Sequence, residues 1–188
     1  EIMKLFLTGH GVKSMNLFKK FQLAHKYFPS LLSEDSYEFI NQGLINTDYR
    51  IHNNKSINPG FLLAVFLWPD IKLAWVKNTK NLHPSSSLND AIDNILLKQS
   101  KIFPIQKRFA ITMSEIWRLQ PRFENLNPKR TYRLSGHPRF RAAYDFLLLR
   151  SLQDQALKSN ASWWTNFIEA DEDTKNKLIR QRNFKKNA

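Results

Sequence analysis

The chain has 188 residues, of which 42% are hydrophobic and 13% aromatic, and its formal net charge is +13. This composition excludes a disordered chain, and the lack of cysteine excludes disulfides, a thiolate nucleophile and cysteine-ligated zinc. The positive charge favours a polyanionic partner or an acidic membrane surface, and the lack of cysteine is typical of a reducing, cytoplasmic setting.

Apolar residues recur at helical spacing along the chain, and no stretch alternates as a strand. The pattern predicts an all-α fold, an irregular array of roughly nine or ten helices. The first residues, "EIMKLFL", read as the inside of a helix without an initiator methionine or a capping residue. They lead us to expect a piece of a longer protein.

In the first half, "TGHG" predicts a turn, and an amphipathic segment follows it to Phe28. Acidic residues predict a further helix from Ser33 or Glu34. Asn58 and Pro59 suit the N-cap and first position of "FLLAVFLW", which is apolar on every side and predicts a core helix. Because this run is far shorter than the roughly 20 residues of a membrane span, no transmembrane segment is predicted. Pro69 is expected to interrupt the helix.

In the second half, "NLHPSSS" predicts a loop before the helical pattern of "LNDAIDNILLKQSKIF". Thr112 and Glu115 form a capping-box pattern that predicts a helix start, and Pro121 predicts its end. The next stretch, "RFENLNPKRTYRLSG", is predicted to be mostly loop. Helices are then expected in "GHPRFRAAYDFLLLR", near "ASWWTNFI" and near "EDTKNKLIRQRNF".

The positive charge is concentrated in residues 101–150, which hold eleven basic and three acidic side chains, a net charge of +8. Arginine outnumbers lysine there eight to three, and its planar fork suits phosphate oxygens. The pattern favours nucleic-acid binding, with Phe123 and Tyr132 as candidate stacking residues for single-stranded bases. A solvated basic face and a surface for an acidic protein stay open as alternatives.

The segment "GHPRFRAAYDFLLLR" predicts a buried helix with Pro138 at its first position and two arginines in its first turn. The helix dipole repels cations there by about 0.3–1 kcal/mol each. Arg141 and Asp145 are spaced for a local ion pair. Arg139 has no such neighbour along the helix, so it is predicted to be unpaired and to bind phosphate at this helix terminus.

Motifs for catalysis or metal binding do not occur in the sequence. It has no glycine-rich nucleotide loop, no histidine spacing for a metal, and no arguable Ser/His/Asp arrangement. Asp171 and Asp173 resemble a DxD motif, but an acidic run at a helix start is the favoured interpretation. No catalytic residue, metal ligand or cofactor is therefore predicted in this chain.

"EIWRLQPRF" followed by "KRTYRLSGHPRFRAAYDFLLLR" resembles the arginine-rich C-terminal region of bacterial poly(A) polymerases, members of the class II nucleotidyltransferase superfamily. "NTDYRIHNNKSINPGFLLAVFLW" is similar to an earlier segment of that family, and the first 30 residues resemble the end of its neck-type RNA-binding module. The resemblance runs from residue 1 to about 167 and implies the end of the neck at 1–33 and a helical body with the arginine-rich domain at 34–168. The remaining residues, 169–188, are predicted to form a polar C-terminal helix and tail.

The resemblance implies that the full protein adds adenylates from ATP to RNA 3′ ends, with magnesium in an N-terminal catalytic head. Motifs of that head are absent from this sequence, so no catalytic residue is carried over, and the basic tail is shortened to "RNFKKNA". The implied partners are RNA, the head of the same polypeptide and RNA-decay proteins. The residues placed in the RNA-binding region are Arg118, Arg122, Lys129, Arg130, Arg133, Arg139 and Arg141.

Two other functions stay open at this point. The body of a CCA-adding tRNA nucleotidyltransferase belongs to the same superfamily and shares the helical body. A basic helical module that docks an acidic protein belongs to a different class, and its binding would survive nuclease treatment.

Overall fold

The computed structural model describes residues 2–28, 33–78, 84–124 and 128–187, and these residues form eleven α-helices. None of the described residues is in a strand, which confirms the all-α prediction. Two compact units divide the chain, Glu1–Ser114 and Glu115–Ala188, and the three functional segments proposed at 1–33, 34–168 and 169–188 stay a prediction. The helices are α1 Ile2–Leu5, α2 Gly11–Lys20, α3 Leu23–Tyr27, α4 Glu34–His52, α5 Pro59–Asn78, α6 Pro84–Ser100, α7 Lys107–Glu124, α8 Pro128–Ser135, α9 Phe140–Ser151, α10 Gln155–Glu169 and α11 Glu172–Asn187.

Helix α5 is the core helix of the first unit, as the sequence predicts. Residues 62–69 are buried, and Asn58 caps the helix by accepting a hydrogen bond from the Gly60 amide at 2.8 Å. Helix α4 approaches α5 closely at Gly43, where a Cβ atom would lie 2.7 Å from a methyl group of Val65. The glycine therefore allows the two helix backbones to pack together.

The prediction that Pro69 interrupts this helix is wrong, because α5 continues through it to Asn78. Proline costs the helix one hydrogen bond, but Pro69 is buried with its neighbours Trp68 and Ile71, and this packing holds the helix together. Among the described residues, one stretch, Pro59–Lys77, is long and apolar enough to cross a membrane by length and composition. More than half of it is buried within the protein, as in the core helix of a globular unit.

An aspartate of α4 caps the start of α2. Asp48 accepts hydrogen bonds from the amides of Gly11 at 2.7 Å and Val12 at 3.1 Å. A carboxylate is favourable at a helix N-terminus because it meets unpaired amides and the positive end of the dipole. The preceding turn contains Gly9 at φ +86°, which agrees with the turn predicted at "TGHG". Part of the "NTDYRI" segment thus has a structural role.

The second unit is built around Trp164 of α10, which is fully buried. Its indole nitrogen donates a hydrogen bond to the carbonyl oxygen of Phe123 at 3.0 Å. The ring of Phe123 meets the indole edge-on at 5.2 Å, and Phe140 packs at 5.5 Å. Ile179 of α11 also belongs to this core, so the C-terminal helix packs against the unit.

Both predicted ends of α7 are wrong, and so is the loop predicted after it. Helix α7 begins at Lys107, five residues before Thr112, whose hydroxyl instead bonds the Arg108 carbonyl within the helix. It continues past Pro121 to Glu124, where the neighbouring Gln120 and Phe123 are buried. Residues 128–135 form α8 rather than a loop, and residues 125–127 of that predicted loop lie outside the described part of the chain.

The predicted loop "NLHPSSS" is partly helical, because α6 begins at Pro84. Ser87 is buried, and its hydroxyl donates to the Trp75 carbonyl at 2.9 Å. Residues 81–83 of this predicted loop lie outside the described part of the chain.

Candidate nucleic-acid interface

Helix α8 presents three cations on one side. Lys129, Arg130 and Arg133 are exposed, whereas Thr131 and Leu134 are buried. At 100° per residue the three basic residues fall within one face, and the buried pair falls within the other. The helix therefore fixes these cations close together on the surface, which a loop would not do. We call Lys129, Arg130 and Arg133 the α8 basic face.

Arg118 and Arg122 lie one turn apart on α7, and both are exposed. Glu115 precedes them by one turn on the same side of the helix. Its carboxylate binds Arg139 Nε at 2.8 Å, with the two side chains 37% and 40% exposed. The prediction that Arg139 is unpaired is therefore wrong. The partner lies 24 residues away in sequence, so spacing along the helix does not reveal it.

The start of α9 differs from the predicted anion site. The helix begins at Phe140, so Arg139 is the N-cap residue and Pro138 precedes it. The Arg139 amide donates to Nδ1 of His137 at 3.0 Å. Arg141 pairs with Asp145 at 3.1 Å, as predicted from their spacing. Each arginine at this terminus thus has its own carboxylate, which offsets the unfavourable interaction with the helix dipole.

The two candidate stacking residues have different environments. Phe123 is fully buried between Phe140 and Trp164, so the prediction that it stacks on bases is contradicted by its burial. Tyr132 is 38% exposed. Its hydroxyl donates to the Asn176 side chain at 3.0 Å, and its ring meets Phe167 edge-on at 5.8 Å. Tyr132 is therefore held in place while part of its ring faces solvent.

A cavity of about 270 Å³ lies beside Tyr132 in the second unit. Its lining comes from four helices, α8 to α11, so no local motif in the sequence indicates it. The residues that line it are Tyr132, Ser135, Phe140, Phe167, Ile168, Glu172 and Lys175.

Arg150, one of the basic residues of the 101–150 segment, contacts α7 from α9. It donates to the side-chain oxygen of Gln120 at 3.1 Å. Burial lowers the pKa of Arg150 to about 10, although the nearby carboxylates of Glu124 and Asp154 oppose this shift. Burial likewise raises the pKa of Glu124, against the effect of Arg150. This arginine therefore stabilises the junction of α7 and α9 instead of adding to the surface charge.

Gln120 connects the same two helices and was not singled out from the sequence. It is fully buried, and its amide group donates to the carbonyl oxygens of Ile116 at 2.9 Å and Ala143 at 3.1 Å. These two bonds are buried, and the bond that Gln120 accepts from Arg150 is partly buried. The sequence does not reveal this role, because it does not show which groups a buried glutamine bonds.

The described residues contain no group of three or more histidine, aspartate or glutamate side chains placed to hold a metal ion. Asp171 accepts a hydrogen bond from the Thr174 amide at 2.7 Å, and this bond lowers the pKa of Asp171. The carboxylate therefore caps α11, in agreement with the favoured interpretation of the "EADEDTK" segment.

Comparisons with known proteins agree with this picture of a basic helical region. The chain is 33% identical over 190 residues to poly(A) polymerase I of Escherichia coli O6:H1, covering 95% of the chain and 41% of that relative. The protein of the same name from Salmonella typhi is 31% identical over 178 residues, covering 89% and 38%. That of Haemophilus influenzae is 28% identical over 192 residues, covering 97% and 42%.

The chain thus spans about two fifths of the length of the curated relatives it matches. Residues 80–188 match the model of a protein family described as the polymerase A arginine-rich C-terminus. This match includes α8, the α7 arginines and the whole of the second unit. The chain therefore belongs to the family of the arginine-rich C-terminal region of bacterial poly(A) polymerase.

Proposed function

We propose that this chain binds single-stranded RNA through the phosphate backbone, and that the α8 basic face is the main contact. The observation that carries the proposal is the placement of Lys129, Arg130 and Arg133 on one exposed side of a short helix. Arginine and lysine in such a cluster release counterions from phosphates, so the binding is electrostatic and depends weakly on sequence.

Arg118 and Arg122 of α7 extend the proposed surface, because both are exposed on one helix face. Arg139 and Arg141 each share their charge with a carboxylate, Glu115 or Asp145. An exposed ion pair of this kind is worth only about 0–1 kcal/mol, so a phosphate can compete with the carboxylate for the guanidinium. The proposed surface therefore consists of the α8 basic face and the exposed α7 pair, and a phosphate that reaches Arg139 or Arg141 must compete with a carboxylate.

The relatives' name suggests the role of the whole protein. We infer that this region belongs to an enzyme that adds adenylates from ATP to RNA 3′ ends, in the cytoplasm, with ATP and magnesium bound outside these residues. The part described here then holds the RNA behind the 3′ end and supplies no catalytic group. Its other partners are the catalytic head of the same polypeptide and RNA-decay proteins.

Fluorescence anisotropy with labelled oligo(A) and a mixed-sequence RNA of equal length tests the proposal. The logarithm of the binding constant should fall linearly with the logarithm of salt concentration, by about 0.7 per phosphate contact, and should be similar for the two RNAs. Absence of binding, or binding that does not change with salt, would refute it. A strong preference for tRNA over unstructured RNA would instead support a CCA-adding body.

A further inference from the structure

We infer that the cavity beside Tyr132 accepts one unstacked base of the RNA strand whose phosphates lie along the α8 basic face. This inference rests on the proposed function and adds a base-binding site to it. The cavity lies within the second unit, and all of its lining residues are described.

The walls of the cavity suit a flat aromatic ligand. Tyr132, Phe140 and Phe167 line it, and the ring of Tyr132 is partly open to solvent. Aromatic side chains are the usual stacking surface for unstacked bases in single-stranded RNA. At about 270 Å³ the cavity is slightly smaller than the pockets that hold drug-sized ligands, which are about 300–1,000 Å³. Its size therefore fits a single heterocycle.

The polar rim offers a donor and an acceptor side by side. Lys175 Nζ lies 2.8 Å from a carboxylate oxygen of Glu172 and 5.8 Å from the centre of the Phe167 ring. An ammonium donates and a carboxylate accepts, and every nucleobase carries donors and acceptors next to each other on its edge. Glu172 is mostly exposed, so the ion pair can open to these groups at little cost.

The cavity is next to the basic face because both use α8. Tyr132 lies three residues after Lys129 and one before Arg133, and so borders the basic face on the helix surface. Tyr132 and Ser135 turn from that face toward the cavity. A strand whose phosphates contact α8 can therefore direct one base into the cavity, against the aromatic rings that line it. A strand without bases would still bind α8 through its phosphates, but it would not contact these rings.

Filling the cavity separates base binding from phosphate binding. The Ser135→Phe variant places a ring in the cavity, whereas Tyr132→Phe keeps the ring and removes only the hydrogen bond to Asn176. The probes are labelled oligo(A) and an abasic strand of the same length, which keeps the phosphates. Circular dichroism and thermal melting verify that each variant is folded.

The unchanged chain should bind oligo(A) about tenfold more tightly than the abasic strand, because stacking one base contributes roughly that factor. Ser135→Phe should lose this difference while its affinity for the abasic strand and its salt dependence stay unchanged. Tyr132→Phe should keep the difference. Equal binding of oligo(A) and the abasic strand by the unchanged chain would overturn the base site and leave the proposed function standing. Binding of neither strand would overturn both.

Discussion

Neutralising the α8 basic face should reduce the salt dependence of RNA binding by a calculable amount. The variant replaces Lys129, Arg130 and Arg133 with glutamine, and all three side chains are exposed, so the free energy of unfolding should change by about 0.5 kcal/mol or less per site. Each phosphate contact on a single strand contributes about 0.7 to the slope, so three contacts contribute about 2. Because 50 and 200 mM salt differ fourfold, the loss of affinity should be about eighteen times larger at the lower salt.

The matched control carries the same change in net charge at another place. It replaces Lys72, Lys77 and Lys98 with glutamine, and these lysines are exposed on α5 and α6 of the first unit. Anisotropy titrations at several salt concentrations give the slope for the unchanged chain and both triple variants. The control slope should stay close to that of the unchanged chain. Equal flattening in both variants would mean that only total charge matters, and it would refute the assignment of the interface to α8.

Three further substitutions test other contacts. Glu115→Gln releases Arg139 from its ion pair, so the salt slope of RNA binding should steepen by about 0.7. The free energy of unfolding should fall by about 0.5 kcal/mol. An unchanged slope in the titrations would show that Arg139 does not reach RNA. Gln120→Leu removes two buried hydrogen bonds and a partly buried one from Arg150, so it should lower stability by about 2–4 kcal/mol in urea unfolding. A change below about 1 kcal/mol would contradict this role. Asp48→Ala removes the cap of α2 and should lower the free energy of unfolding by about 1–2 kcal/mol in the same assay. An unchanged free energy of unfolding would show that the cap is dispensable.

The arginines of this region fall into classes that differ in burial and in the contacts of the guanidinium group. Arg150 is largely buried and holds Gln120, while Arg139 and Arg141 each pair with a carboxylate. Arg130 and Arg133 lie exposed with Lys129 on one helix face. A high arginine content therefore overstates the charge that is available to RNA. The difference between these classes is what the slope measurements report.

Much of the fold could be predicted from the sequence because its signals are local. Helical periodicity depends on residues three and four apart, and it correctly predicts an all-α chain, the core helix α5 and the cap at Asn58. The pair of Arg141 and Asp145 is also local, one helical turn apart, and its prediction is confirmed. The resemblance of "HPRFRAAYDF" is likewise local, and it indicates the family that the comparisons show.

What the tertiary structure alone decided depends on contacts between residues distant in sequence. Packing carries α5 through Pro69 and α7 through Pro121, where local rules predict breaks. The pairing of Arg139 with Glu115, the burial of Phe123 and the cavity beside Tyr132 all join different helices. The sequence by itself determined that a basic helical region is present. Only tertiary contacts decided which of its cations and rings face the solvent, because burial and ion pairing are properties of the assembled helices.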